Sequence, residues 1–248
     1  MESTTETVSF KVLLASLPRG EPLSTAALQA RGLSVFRASA LARSGWLVHL
    51  ARGVYMLPGD TLTRDGSLAF LSEQTPGLHV GGKTALAWRG VRQNIAFREH
   101  LTLWGDTPRR LPGWFTERFP ASYQTTQLFD DALPQAFGLQ PLPTGDPRVL
   151  VSVPERAMLE LLSDVGKAQS LAEARELVES LSGLREKVLD QLLRHTTRIK
   201  VVRMAASFAT GMKLPWAALA SRHSERVGGG ARWVAVGRTG ERLDLRRP

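Results

Sequence analysis

The spacing of hydrophobic residues changes repeatedly between residues 9 and 57, and each change marks an element. Over 9–17, Phe10, Val12, Leu13, Leu14, Ala15 and Leu17 predict a short, largely buried helix that Pro18-Arg19-Gly20 ends. Ser24 is the N-cap of a second helix over 25–30, and Gly32 supplies the left-handed stop of a tight helix-to-helix turn. Ser34 caps a third helix over 34–44, which places Val35, Ala38, Leu41 and Ala42 on one stripe and turns Phe36, Arg37, Ser39, Ala40 and Arg43 elsewhere. After Gly45, residues 46–50 and 54–57 read as two strands joined through Ala51-Arg52-Gly53, with glycine at the turn. Three helices followed by a hairpin is the order of a winged helix-turn-helix.

Beyond Asp60 the pattern is mixed. Helices are predicted over 67–73 and 83–89 and a strand over 100–104, whereas the dense proline and glycine of 106–147 leave that stretch unassigned. Val149-Leu150-Val151 reads as a buried strand, and Ser152-Val153-Pro154-Glu155 as a capping box opening a helix over 157–162. Ser170 with Glu173 repeats that device ahead of helices over 171–181, 184–195 and 200–210. Residues 233–237 and 242–245 predict a closing hairpin across Arg238-Thr239-Gly240. The expected fold class is therefore α+β: a winged helix-turn-helix over 1–60, then a larger mixed α/β domain over 61–248 with a possible subdivision near 148.

Composition narrows the functional classes. The 248 residues carry 32 basic and 23 acidic side chains, a formal net charge of +9, which suits a partner rich in phosphate. Seventeen of the basic residues follow Leu150, with Arg194, Arg198, Lys200 and Arg203 clustered at one predicted helix junction. No cysteine is present, which excludes disulfides, thiol catalysis and cysteine-ligated zinc. The five histidines, at 49, 79, 100, 195 and 223, share no metal-ligand spacing, so neither metal nor cofactor is expected. The polar, acidic start at 1–7 resembles no signal peptide, and no apolar run reaches a membrane span, so a cytoplasmic protein without membrane contact is expected.

Double-stranded DNA is the partner that the winged helix-turn-helix predicts. In that geometry the third helix enters the major groove. Arg37 and Arg43 are candidates for guanine or phosphate, Ser39 for a base edge, Phe36 for a thymine methyl and Arg52 at the wing tip for phosphate or the minor groove. Ser24, Thr25 and Ser34, at the helix starts, complete the candidate face. The alternative is a winged helix used for protein contacts, with Phe36 in the core.

One enzymatic spelling competes. Gly77-Leu78-His79-Val80-Gly81-Gly82-Lys83-Thr84 matches a P-loop, with Lys83 and Thr84 at the phosphate and magnesium positions of a nucleotide-binding enzyme. A P-loop follows a buried strand, but here a predicted helix and the break Gln74-Thr75-Pro76 precede it, and no later strand ends in a magnesium-binding aspartate. Gly228-Gly229-Gly230 lacks the flanking elements of a dinucleotide loop, and the neighbours Asp130 and Asp131 lack the partner lysine of a nuclease site. No enzymatic activity is expected.

Several phrases, spread along the chain in order, resemble the AbiEi family, antitoxins and transcriptional regulators of type IV toxin-antitoxin, or abortive-infection, modules. They are Leu23-Ser24-Thr25 with Gly32-Leu33-Ser34; Gly45-Trp46-Leu47 followed by Arg52-Gly53-Val54-Tyr55; His79-Val80-Gly81-Gly82 with Ala85-Leu86 and Gly90-Val91; Ser152-Val153-Pro154-Glu155-Arg156-Ala157; Lys200-Val201-Val202-Arg203; and Gly228-Gly229-Gly230. The resemblance implies an N-terminal winged helix that binds inverted repeats in its own promoter. It also implies a C-terminal domain that provides antitoxicity against a nucleotidyltransferase-like toxin. Carried over, the recognition face becomes Arg37, Ser39 and Arg43, and the C-terminal basic patch Arg194, Arg198, Lys200 and Arg203. An orphan regulator without a toxin partner fits the same residues.

Overall fold

A computed structural model describes residues 10–91, 99–227, 233–236 and 242–245. The chain forms two compact units, one of Met1–Gln74 with Leu111–Arg118, the other of Thr75–Arg110 with Phe119–Pro248.

The first unit opens with α1 (Phe10–Ser16), β1 (Leu23–Ser24), α2 (Thr25–Gln29) and α3 (Val35–Arg43), followed by β2 (Val48–Ala51) and β3 (Val54–Met56). Ser24 and Ser34 are the N-caps expected of them, their hydroxyls accepting from Ala27 N–H and Arg37 N–H. Gly32 between the helices and Gly53 between the strands both hold positive φ, where a side chain would strain the backbone. The hairpin gains a strand that the sequence did not announce: β1 pairs antiparallel to β3, giving the order β1-β3-β2. Leu17, Leu23, Leu28, Leu33, Ala38, Leu47, Tyr55 and Leu57 form one core, with Leu14, Leu41 and Ala42 against it.

Val35 departs from its predicted place on the core stripe. It is 48% exposed, because the helix begins at that residue and the core is reached only from Ala38 onward. Past Asp60 the same unit takes in α4 (Arg64–Gln74) and the short α6 (Gly113–Thr116). Phe70, Trp114 and Phe115 stack edge to face, and Arg118 donates to the Leu62 carbonyl.

The second unit is built on a five-stranded mixed sheet of β4 (His79–Val80), β5 (Leu101–Trp104), β6 (Ala121–Gln124), β7 (Leu139–Gln140) and β8 (Val151–Ser152), in the order β6-β5-β4-β8-β7. Its strands β5 and β6 run parallel, as do β4 and β8; the remaining pairs are antiparallel. α5 (Gly82–Trp88) leaves β4 directly, and α7 (Pro154–Asp164) leaves β8. Every residue of α7 from Glu155 to Asp164 is buried, so this helix is the centre of the unit rather than an amphipathic surface helix. Against it pack α8 (Leu171–Glu179), α9 (Glu186–His195) and α10 (Ile199–Gly211), and α11 (Ala217–Arg226) packs on α9 and α10; β9 (Trp233–Val236) and β10 (Arg242–Leu245) pair antiparallel.

Two details differ from expectation. Ser170 does cap α8, accepting from Glu173 N–H, but Ser152 caps nothing. The cap position of α7 is Val153, Pro154 fills the first helical position without an N–H to satisfy, and the Ser152 hydroxyl bonds Glu160 inside the protein. The helix α11 carries no predicted counterpart: its run of Ser221, Arg222, His223, Ser224 and Glu225 hides the few apolar residues that seat it. Gly228-Gly229-Gly230 and the turn at 238–240 lie outside the described residues.

Candidate nucleic-acid interface

In the first unit, α3 presents Phe36, Arg37 and Arg43 to solvent, and Arg52 is exposed at the tip of the β2–β3 hairpin. Phe36 is 76% exposed, the largest exposed fraction among the large hydrophobic side chains described, which overturns its alternative place in the core. An exposed aromatic flanked by an exposed arginine on a capped helix is costly to leave in water and useful against a base edge or thymine methyl.

The remaining candidates have structural partners. Ser39 is half-buried, its hydroxyl 3.4 Å from that of Tyr55. Ser24 and Ser34 spend their oxygens on caps. Thr25 donates to the Gly53 carbonyl from both its N–H (2.9 Å) and its hydroxyl (3.0 Å), which fastens the start of α2 to the wing turn beside Arg52. A Cβ on Gly53 would lie 2.9 Å from that hydroxyl, so glycine is required there by contact as well as by φ.

The C-terminal cluster does not form one exposed patch. Arg194 pairs with Asp190 at 2.9 Å, Arg198 donates to the Ser163 hydroxyl at 3.1 Å, Lys200 is half-buried on the Val165 carbonyl, and Arg203 is 5% exposed. The α9–α10 junction folds against the end of α7, and its cations supply donors to that helix terminus. Burial, together with Arg198 and Lys167, lowers the Lys200 ammonium to about 8. Burial also raises Asp164, at the same end of α7, to about 6, and its Oδ1 has no hydrogen-bond partner.

At the centre of this unit, residues far apart in sequence converge on the Glu160 carboxylate. It accepts from His79 Nε2 (3.0 Å), Gly82 N–H (3.0 Å), the Ser152 hydroxyl (2.8 Å) and Arg156 Nε (2.9 Å). Burial pushes the Glu160 carboxyl up, but the charges and hydrogen bonds of His79 and Arg156 outweigh it and hold the group below the usual range. Gly81 leaves the space: a Cβ there would meet Glu160 Oε2 at 2.3 Å. Glu155 likewise binds Arg185 through its side chain and N–H at 2.8–2.9 Å, closing the start of α9 with a carboxylate from α7.

This network decides the P-loop spelling. The amide of Gly82, where a P-loop would meet phosphate, is taken by Glu160. Thr84 is buried and bonded to the His100 carbonyl and the Thr102 amide, and Lys83 lies 3.4 Å from Glu173. A helix, α4, is the regular element that precedes the motif. His79 belongs to a phrase that the sequence singles out, but Glu160 does not, although a glutamate inside the otherwise apolar run of Ala157, Met158, Leu159, Leu161 and Leu162 is a visible signal. Among the described residues, no group of three or more histidine and acidic side chains fits a metal ion, and no helix is long and apolar enough to cross a membrane.

Comparison with known proteins agrees with this architecture. Residues 6–97 match a family model described as transcriptional regulator, AbiEi antitoxin N-terminal domain. Residues 98–245 match one described as transcriptional regulator, AbiEi antitoxin, type IV TA system. No curated protein gives a significant match. Among solved structures, the chain is similar to the RV2827C protein from Mycobacterium tuberculosis, at 16% identity and a TM-score of 0.57, over 90% of this chain and 81% of that one. At that identity the similarity speaks for the fold.

Proposed function

The chain belongs to the AbiEi family of antitoxins and transcriptional regulators of type IV toxin-antitoxin systems, and from that premise we propose that it represses its own promoter while its second unit counters a nucleotidyltransferase-like toxin. The observation that carries the DNA-binding part is α3, a helix capped by Ser34 whose exposed face joins Phe36, Arg37 and Arg43, with Arg52 exposed on the wing of the same unit. Phosphate contacts from the arginines fix register, and the early residues of α3 read base edges. An inverted repeat in the promoter would be met by two copies of the chain, one per half-site.

Fluorescence anisotropy with a duplex spanning the chain's own upstream region tests the reading. Saturable binding that weakens with salt is expected, and binding that does not distinguish this duplex from a scrambled one would refute it. Co-expression with the adjacent reading frame tests the second part: growth restored by this chain supports antitoxicity, and an adjacent gene without toxicity leaves an orphan regulator.

A further inference from the structure

No aspartate or glutamate occurs between Glu21 and Asp60, the stretch that makes α2, α3 and the β2–β3 hairpin, whereas Arg31, Arg37, Arg43 and Arg52 all fall within it. An anion approaching these elements therefore meets positive charge and no carboxylate from the elements themselves. All four arginines are exposed, and so is His49 on β2.

The place of His49 follows from strand register. It lies directly opposite Tyr55 in the β2–β3 pair, so both side chains leave the same face of the sheet. Tyr55 identifies that face as the one turned to α3: it is buried in the core, and its hydroxyl lies 3.4 Å from that of Ser39. Ser39 stands three residues after Phe36 and four before Arg43, so it is their neighbour on the helix surface. The His49 ring meets the Tyr55 ring edge to face, with centroids 5.6 Å apart and planes at 64°. The contacts from His49 through Tyr55 to Ser39 thus set an exposed imidazole on the wing side of the helix face that carries Phe36 and Arg43. Its ring is placed but its nitrogens are not used. His79, His195 and His223 each bond a carboxylate, those of Glu160, Asp130 and Asp190, whereas neither ring nitrogen of His49 has a hydrogen-bond partner among the described residues. The strand that carries it, β2, is an edge of its sheet.

We propose that His49 is a further DNA-contacting residue, whose ring N–H donates to a backbone phosphate. The proposal rests on the reading of α3 as the recognition helix. With that helix in the major groove, a strand packed along its flank faces the phosphates that border the groove. An imidazole always offers an N–H there, and the packing against Tyr55 leaves it little rotamer freedom to lose on binding. The contact adds affinity and fixes the register of α3, but it does not itself choose a sequence.

Anisotropy of the full chain on its upstream duplex tests the contact, with His49→Ala, His49→Phe and His49→Gln, and with single methylphosphonates that neutralise one phosphate at a time. H49A should weaken binding about tenfold, the scale of a hydrogen bond to a charged group, without shifting the unfolding temperature. H49F keeps a ring against Tyr55 but has no N–H, and should bind as weakly as H49A. H49Q retains a donor and should recover part of the loss. At one position a methylphosphonate should weaken the unaltered chain yet cost H49A nothing more, the non-additivity of a direct pair. Binding by H49A or H49F as tight as that of the unaltered chain, or methylphosphonate losses that add to H49A at every position, would overturn the proposal. The two readings fail separately. An unaltered chain that binds upstream and scrambled duplexes alike refutes promoter recognition, binding that survives H49A refutes this contact alone, and a chain that binds no duplex refutes both.

Discussion

Glu160 is 1% exposed and accepts from four different residues, and each of those donors would be stranded without it. Glu160→Gln keeps the shape but leaves Arg156 and His79 facing a neutral amide. The variant should lose about 3–5 kcal/mol in urea unfolding, the range for breaking a buried pair; a loss below about 1 kcal/mol would mean that the network holds little of the fold together. The DNA-facing residues follow the opposite logic, since their side chains are exposed and little in the fold depends on them. Arg37→Ala and Arg43→Ala should each weaken DNA binding by about 1–3 kcal/mol where they read bases, with unfolding unchanged. Ser39→Ala should leave DNA affinity within about twofold, because its hydroxyl faces Tyr55; a large loss would return Ser39 to the recognition face. Arg37 and Arg43 were legible as outward residues because helical spacing gives direction. The turning of Arg198, Lys200 and Arg203 into the unit was not, because charge clustering in sequence does not reveal which helix end needs donors.

Elements were legible where a local signal sufficed and lost where pairing was remote. Ser24, Ser34 and Ser170 announced their helices because an N-cap acts within one turn. The strand β1 is two residues long, and β6 and β7 lie in the proline-rich stretch; all three exist only through partners far away in sequence. Ser152 misled for a related reason: its motif spells a cap, but the buried carboxylate on α7 claims its hydroxyl. The end of α7 yields a pH prediction. Burial raises the folded Asp164 carboxyl from its ordinary value of 3.8 to about 6, so between those values the folded protein retains a proton that the unfolded chain has lost. Stability therefore falls as pH rises through that window and stays lower above it, by about 2–3 kcal/mol at most. Asp164→Asn should abolish this slope in urea unfolding measured from pH 4 to pH 7 and be the more stable protein at pH 7. An unchanged slope would assign it to other groups.

At the scale of the molecule, the sequence phrases His79-Val80-Gly81-Gly82 and Ser152-Val153-Pro154-Glu155-Arg156-Ala157 turn out to be two sides of one object, the Glu160 network. That convergence gave the resemblance its physical content and speaks against the nucleotide-binding reading, because the Gly82 amide and the Thr84 hydroxyl are already bonded within the protein. Lys83→Ala should accordingly leave ATP and GTP titrations flat, as they are expected to be for the unaltered chain; a lysine-dependent signal would reinstate a P-loop. The charge of the whole chain also matters, because a protein of net charge +9 will bind any duplex weakly, and only specificity separates a regulator from a basic surface. The most direct test is anisotropy of the full chain on its own upstream duplex and on a scrambled duplex, at several salt concentrations, for the unaltered protein and for R37A/R43A. Preference for the upstream duplex, reduced at least tenfold in the double variant and accompanied by a shallower salt slope, is the expected result. Equal affinity for both duplexes, or a double variant that binds the upstream duplex as tightly as the unaltered chain, would contradict recognition through α3.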